Sequence, residues 1–146
     1  MSAGSESWHR PLGHTPHETL GEETTQTPGM RRFEAISGKR SSSERIWMGE
    51  NHVEGGVSSA AHHHGASETG IYVVRGNPVF AFLEDGVERR IETSPGDYVY
   101  VPPFVPHREE NPGPDEAVVV LARSTQEAIV VNLPSLAGDH LPADVD

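Results

Sequence analysis

Three consecutive histidines, His62, His63 and His64, and a further one, His107, 43 residues after the last of them, are the side chains most able to do chemistry in this sequence. Residues two apart on a strand share a face, so His62 and His64 can hold one ion together while a third nitrogen arrives from a distant strand. His63 then points the other way and reads as a surface residue or a neighbour of the site. Three neutral imidazoles leave roughly two or three coordination positions for water or substrate, the arrangement of a catalytic and not a closed structural centre. An ion held in this way polarises a carbonyl or enol oxygen, or acidifies a water.

Composition narrows the chemistry. With no cysteine, thiolate zinc sites, iron–sulfur clusters, disulfides and cysteine nucleophiles are all excluded, so any metal sits on imidazole, carboxylate and water. The formal charge of −11 opposes binding to nucleic acid or to anionic lipid. No stretch approaches the roughly 18 apolar residues of a membrane helix, and the N-terminus lacks an apolar signal core. These features predict a cytoplasmic protein with a small-molecule partner. A chain of 146 residues is one domain's length.

The elements that must position the histidines read as strands. Residues 1–30 are rich in Ser, Thr, Gly, Pro and Glu with little apolar periodicity, and predict a mobile arm; its His9, His14 and His17 are ordinary for a polar tail. From Arg45 onward, short β-branched and aromatic runs are broken by Gly, Pro, Asn and Asp. The runs predict strands over 45–53, 60–64, 70–75, 77–84, 87–93, 97–101, 107–111, 117–123 and 128–133. Glu84-Asp85-Gly86 predicts a tight hairpin and Ser94-Pro95-Gly96-Asp97 another turn. No helical period of useful length is present. The expected division is an arm over 1–30, an all-β barrel over 31–134 and a short tail over 135–146. Tyr72, Tyr98, Tyr100, Phe80, Phe82 and Phe104 read as barrel core, whereas Arg75, and Arg108 with Glu109 and Glu110, read as surface ion pairs; of these Glu109 shares strand parity with His107.

The stretches GVSSAAHHHGASETGIYVVRG, from Gly56 to Gly76, and GDYVYVPPFVPHREEN, from Gly96 to Asn111, resemble the two motifs of the cupin superfamily. Spacings from Gly56 to His62 and His64, and from Gly96 through Pro102 and His107 to Asn111, agree with the family pattern. Phe104 stands at the second motif's usual glycine, which alters the turn. The family's glutamate ligand falls, counting back from Gly76, on Thr69; Glu68 is one position early and reaches the site only if a bulge corrects the register.

The resemblance implies a single-domain jelly-roll β-barrel, often dimeric, with His62, His64, His107 and Glu68 as ligands of one divalent ion per chain. Zinc comes first, and iron, manganese and nickel also fit such donors. It runs closest to small bacterial metallo-cupins, some of which look like zinc-dependent aromatic polyketide cyclases and others like the cupin parts of enzymes that form nitrogen–nitrogen bonds. Three functions follow as expectations: Lewis-acid cyclisation or isomerisation of a small biosynthetic intermediate, an Fe(II) dioxygenase, or a metal-stabilised binding barrel without turnover. Glu68, Glu109 and Tyr72 are the groups available to move a proton beside the ion.

Overall fold

In the computed structural model, residues 10–24 and 26–138 are described. Among the described residues ten strands run in chain order: β1 (Met30–Ile36), β2 (Trp47–Val53), β3 (His62–His63), β4 (Thr69–Arg75), β5 (Val79–Glu84), β6 (Val87–Glu92), β7 (Tyr98–Val101), β8 (His107–Glu110), β9 (Ala117–Arg123) and β10 (Val131–Asn132). They form two antiparallel five-stranded sheets, β1-β2-β9-β4-β7 and β10-β3-β8-β5-β6, the antiparallel all-β arrangement expected from the turn spacing and the jelly roll that the resemblance implied. One short helix, Gly38–Ser41, links β1 to β2, with the Ser37 hydroxyl accepting from the Arg40 amide.

Alternation decides what each strand buries. In β2 every odd residue, Trp47 to Val53, is buried and every even one half-exposed, so one face lines the barrel. The pairing carries that face across the first sheet in rows: Arg32–Asn51–Val119, and Trp47–Arg123–Thr69–Val101. Between the sheets lies a core of Ile71, Val73, Phe80, Val101 and Val119. The outer face of the second sheet is not bare: Leu133 and Leu136 cover Ala61 and Ala81 there.

The turns follow their residues. Glu84 pairs with Val87, and the two residues between them, Asp85 and Gly86, have φ of 52° and 77°, the doubly positive hairpin turn that Asp-Gly favours. Edge strand β6 is exposed along its whole length and charged, with Arg90 on Glu110 and Arg89 on Glu84; such an edge resists pairing with other chains.

Three features depart from the sequence reading. Strand β1 was hidden, because MRRFEAI carries charge on both faces. Of the aromatic residues expected in the core, only Phe80 is fully buried; Tyr72, Tyr98 and Tyr100 stand on the outer face of the first sheet, since β4 turns its odd residues inward and β7 pairs in phase with it. Phe104 has φ of 64°, in the left-handed region that favours glycine, and its amide donates to the Gly65 carbonyl. Of the expected arm, residues 1–9 lie outside the described residues, while Thr15 donates to the Ala35 carbonyl and Gly21 bridges Glu34 in β1.

Candidate metal centre

His62 and His107 are direct cross-strand partners of β3 and β8, and His64 follows one residue after β3, so parity aims all three rings into the barrel. Their ring centroids are 4.4 to 5.0 Å apart, and one ligand nitrogen from each lies within 4.8 Å of the others. Each Nδ1 sits against a backbone carbonyl: His62 on Ala60 at 2.7 Å, His64 on Ile129 at 2.8 Å, His107 on Val105 at 3.0 Å. A carbonyl only accepts, so each Nδ1 carries the proton and each Nε2 keeps its lone pair for an ion. The residues therefore fit a divalent metal in donor type, number and tautomer.

Burial tunes the same groups. It pulls His107 down to about 3 and His64 to about 4, and lowers His62 as well, so all three are neutral near pH 7, the form a metal ion requires. These shifts give the metal-free protein an acid weakness. Unfolded imidazoles take up protons near pH 6.5 and the folded ones only well below it, so their contribution to stability is lost as pH falls from about 6.5 toward 4. Burial raises Glu109 to about 7, against the opposing charge of Arg32, so its contribution has the reverse sign, present at low pH and lost as pH rises through 7. Three imidazoles outweigh one carboxyl. Urea midpoints of chelator-treated protein are expected to be lower at pH 5 than at pH 7; equal or higher midpoints at pH 5 would contradict this balance.

A cavity of about 390 Å³ opens over the histidines, lined also by Arg32, Asn51, Thr69, Glu109 and Arg123. Its Glu109 Oε1 and Asn51 Oδ1 are buried acceptors without a hydrogen-bond partner. A second cavity of about 410 Å³ is apolar, lined by Phe80, Phe82, Ile91 and Val99, and shares Val101 and His107 with the first.

The structure brings Glu109 to the histidines but leaves two of the expected residues outside. Glu68 is exposed; its carboxylate accepts from the Tyr100 hydroxyl on the outer face, and its backbone is tied to Ser124. The register between β4 and β9 is regular from Thr69 to Val73, and the one bulge in β4 comes later, between Val73 and Arg75. No bulge corrects Glu68, so buried Thr69 takes the inward place and Glu68 is not positioned as a ligand or proton carrier. Tyr72 is likewise outward, against Tyr98 at 4.9 Å. His63, expected at the surface or beside the site, is buried on the opposite face of β3, where its Nδ1 accepts from the Gly65 amide. Arg75, Arg108 and Glu110 do form surface ion pairs, Arg75 with Glu116 and Arg108 with Glu110, whereas Glu109, expected among them, faces the cavity.

Sequence reasoning missed Arg32, Asn51 and Arg123. Parity could have found two of them, since Asn51 follows Trp47 and Gly49 along β2, and Arg123 ends the inward row of β9. Asn111, the last residue of the second motif, has a structural part: buried, it donates to the Val53 and Asp115 carbonyls.

Comparison with known proteins agrees with this architecture. No curated protein matches the chain. Among solved structures, an S161A mutant of Bacillus subtilis oxalate decarboxylase is similar at 26% identity and a TM-score of 0.66, over 76% of this chain and 30% of that one. Another oxalate decarboxylase, studied for a switch of reaction specificity, aligns at 25% identity and a TM-score of 0.67 over 91% of this chain and 37% of its own. The chain thus spans about a third of the length of these relatives. The Bacillus subtilis oxalate decarboxylase is described as having Mn(II) centres. Peruvianin-I from Thevetia peruviana, a cysteine peptidase, shares the fold alone at 14% identity, with a TM-score of 0.64 over 77% of this chain and 72% of that one. A Cupin domain model matches residues 50–123, from β2 to the end of β9, and with the three inward histidines at motif spacing, the chain belongs to the cupin family.

Proposed function

We propose that this protein is a divalent-metal enzyme acting on a small organic molecule in a biosynthetic pathway, and that its reaction is a Lewis-acid-assisted cyclisation or isomerisation of the kind carried out by polyketide cyclases. The observation that carries this reading is the set of three imidazoles, each with Nδ1 against a carbonyl, with one ligand nitrogen of each within 4.8 Å of the others at the wall of a cavity. An ion held by His62, His64 and His107 would supply polarisation of a substrate carbonyl or enol oxygen. The chain's own groups do the rest. Glu109, raised to about 7, can hold or accept a proton at Oε1 near neutrality. Asn51 Oδ1 can receive a substrate hydroxyl. Phe80, Phe82 and Val99 offer an apolar wall that excludes water from the reacting part.

A second reading, an Fe(II) dioxygenase, is favoured by the donor set itself: Thr69 in place of a carboxylate leaves three histidines and open positions, which also suit iron. A binding barrel without turnover is the third. Manganese gains support as the ion from the Mn(II) centres of the oxalate decarboxylase relative, beside zinc, iron and nickel. Elemental analysis of untagged protein purified without added metal separates the readings. About one equivalent of zinc or manganese supports Lewis-acid chemistry; iron, with oxygen consumed in the presence of candidate substrates, supports the dioxygenase. Failure to take up any of these ions would end both enzymatic readings and leave a binding barrel that needs no metal.

We also propose a homodimer, with the exposed Tyr72, Tyr98 and Tyr100 on the outer face of the first sheet as the surface that favours it. Sedimentation of a monomer at micromolar concentration would end that part of the proposal.

A further inference from the structure

Two of the three site rings are set by their own stretch of chain and one is not. His62 and His107 place Nδ1 against carbonyls two residues earlier, Ala60 and Val105, whereas His64 relies on the Ile129 carbonyl, 65 residues further on. That carbonyl belongs to the segment 124–136, which begins where the Cupin match ends. Each end of the segment is tied to the barrel. At the near end Arg123 donates from Nε to the Thr125 carbonyl and from Nη2 to the Gln126 carbonyl. The Gln126 side chain accepts from the Gly38 amide and donates to the Ile46 carbonyl. At the far end Leu133 and Leu136 cover Ala61 and Ala81 on the outer face of the second sheet, and the Leu133 amide donates to the Ala61 carbonyl. Between the ties, Ala128, Ile129, Val130 and Asn132 line the cavity over the histidines. The Ile129 side chain rests on Gly65, where an added Cβ would lie 3.0 Å from its Cγ2.

The same segment supports the strand that carries His62. Strand β3 is two residues long and meets β8 at one position, His62 on His107, while β10 pairs with both of its residues. An imidazole whose Nδ1–H has no fixed acceptor turns about its side-chain bonds and moves its proton between the two nitrogens, so Nε2 is no longer held ready for an ion. We propose that segment 124–136 is a positioning strap for the metal centre: through the Ile129 carbonyl it fixes the ring and tautomer of His64, so the seating of Leu133 and Leu136 on the far side of the sheet sets the affinity of the centre for its ion. The strap acts through His64 and is not itself a ligand. The inference rests on the metal reading and adds to it a part that the motif histidines do not supply.

The test compares Leu133→Ala/Leu136→Ala with wild type and with Val73→Ala, which empties buried space in the core between the sheets and leaves the strap alone. Zinc affinity is read by chelator competition on protein shown to be folded, and the ring tautomers by nitrogen–proton NMR of the zinc-free protein near neutral pH. Loss of a group that orients a ligand costs about 10–100-fold in metal affinity, so the double variant is expected to bind zinc at least about tenfold more weakly and Val73→Ala within about twofold of wild type. In the double variant the His64 signals should become those of mixed tautomers, while His107 keeps its Nδ1–H form. Leu133→Met/Leu136→Met should restore both readouts. Zinc affinity within about twofold of wild type in the double variant, unchanged His64 signals, or equal weakening in Val73→Ala overturns the inference. Should the double variant fail to fold, Leu136→Ala alone decides by the same criteria. A wild type that binds no zinc would instead remove the metal reading itself, and the inference with it.

Discussion

His107→Ala is expected to lose its metal, with affinity falling at least about a hundredfold and any turnover falling with it. Mutation of groups that merely orient a ligand already costs 10–100-fold in metal affinity or activity, and His107 is a candidate ligand in its own right. It also pairs directly with His62, so the variant removes one donor and leaves the other two without a closing side. His107 is buried at 6% exposure, and Glu68, the carboxylate of the first motif, lies on the outer face and cannot replace it. The right control is His63→Ala. That ring sits on the opposite face of β3 near Phe104, 5.8 Å between centroids, so the variant should keep its ion although it loses the bond from the Gly65 amide. Metal analysis after dialysis against a weak chelator reads both. Retained metal in His107→Ala, or equal loss in His63→Ala, would count against the three-histidine centre.

Trp47→Ala is expected to destabilise the fold by about 3–5 kcal/mol, the range for emptying a large buried aromatic. Trp47 is 2% exposed, its Nε1–H donates to Glu34 Oε1 at 3.0 Å, and its ring supports the Arg123 guanidinium. The site is closely packed as well, since a Cβ built on Gly49 would lie 2.5 Å from the indole, so the cavity left behind has rigid walls. Against a typical total of about 5–15 kcal/mol, such a loss lowers Tm by roughly 10 °C. Differential scanning calorimetry of the metal-free protein measures it. A change under about 1 kcal/mol would mean that neighbouring side chains collapse into the space.

The centre and the barrel were unequally legible. A run of three histidines with a fourth at motif spacing identified the rings that converge, because strand parity is a local property and the motif fixes the distance between strands. The Asp85-Gly86 hairpin and the full extent of β9 were equally local. Strand β1 was not, because its inward face holds Arg32 where apolar residues are the usual signal.

By itself, then, the sequence determined an all-β barrel, the identity of the three histidines and the absence of any thiolate alternative, since each depends on residue type and spacing along the chain. Only the tertiary structure decided that Thr69 and not Glu68 faces the cavity, that Tyr72 faces out, and that Arg32 and Arg123 surround the same space as Glu109. Parity says which residues share a face, but which face is inward depends on the sheet that a strand joins and on where its bulge falls. The proton affinity of Glu109 belongs to the same class. It is set by burial and by the charge of Arg32, a residue 77 positions away in the chain that reaches the cavity only once β1 has paired with β2.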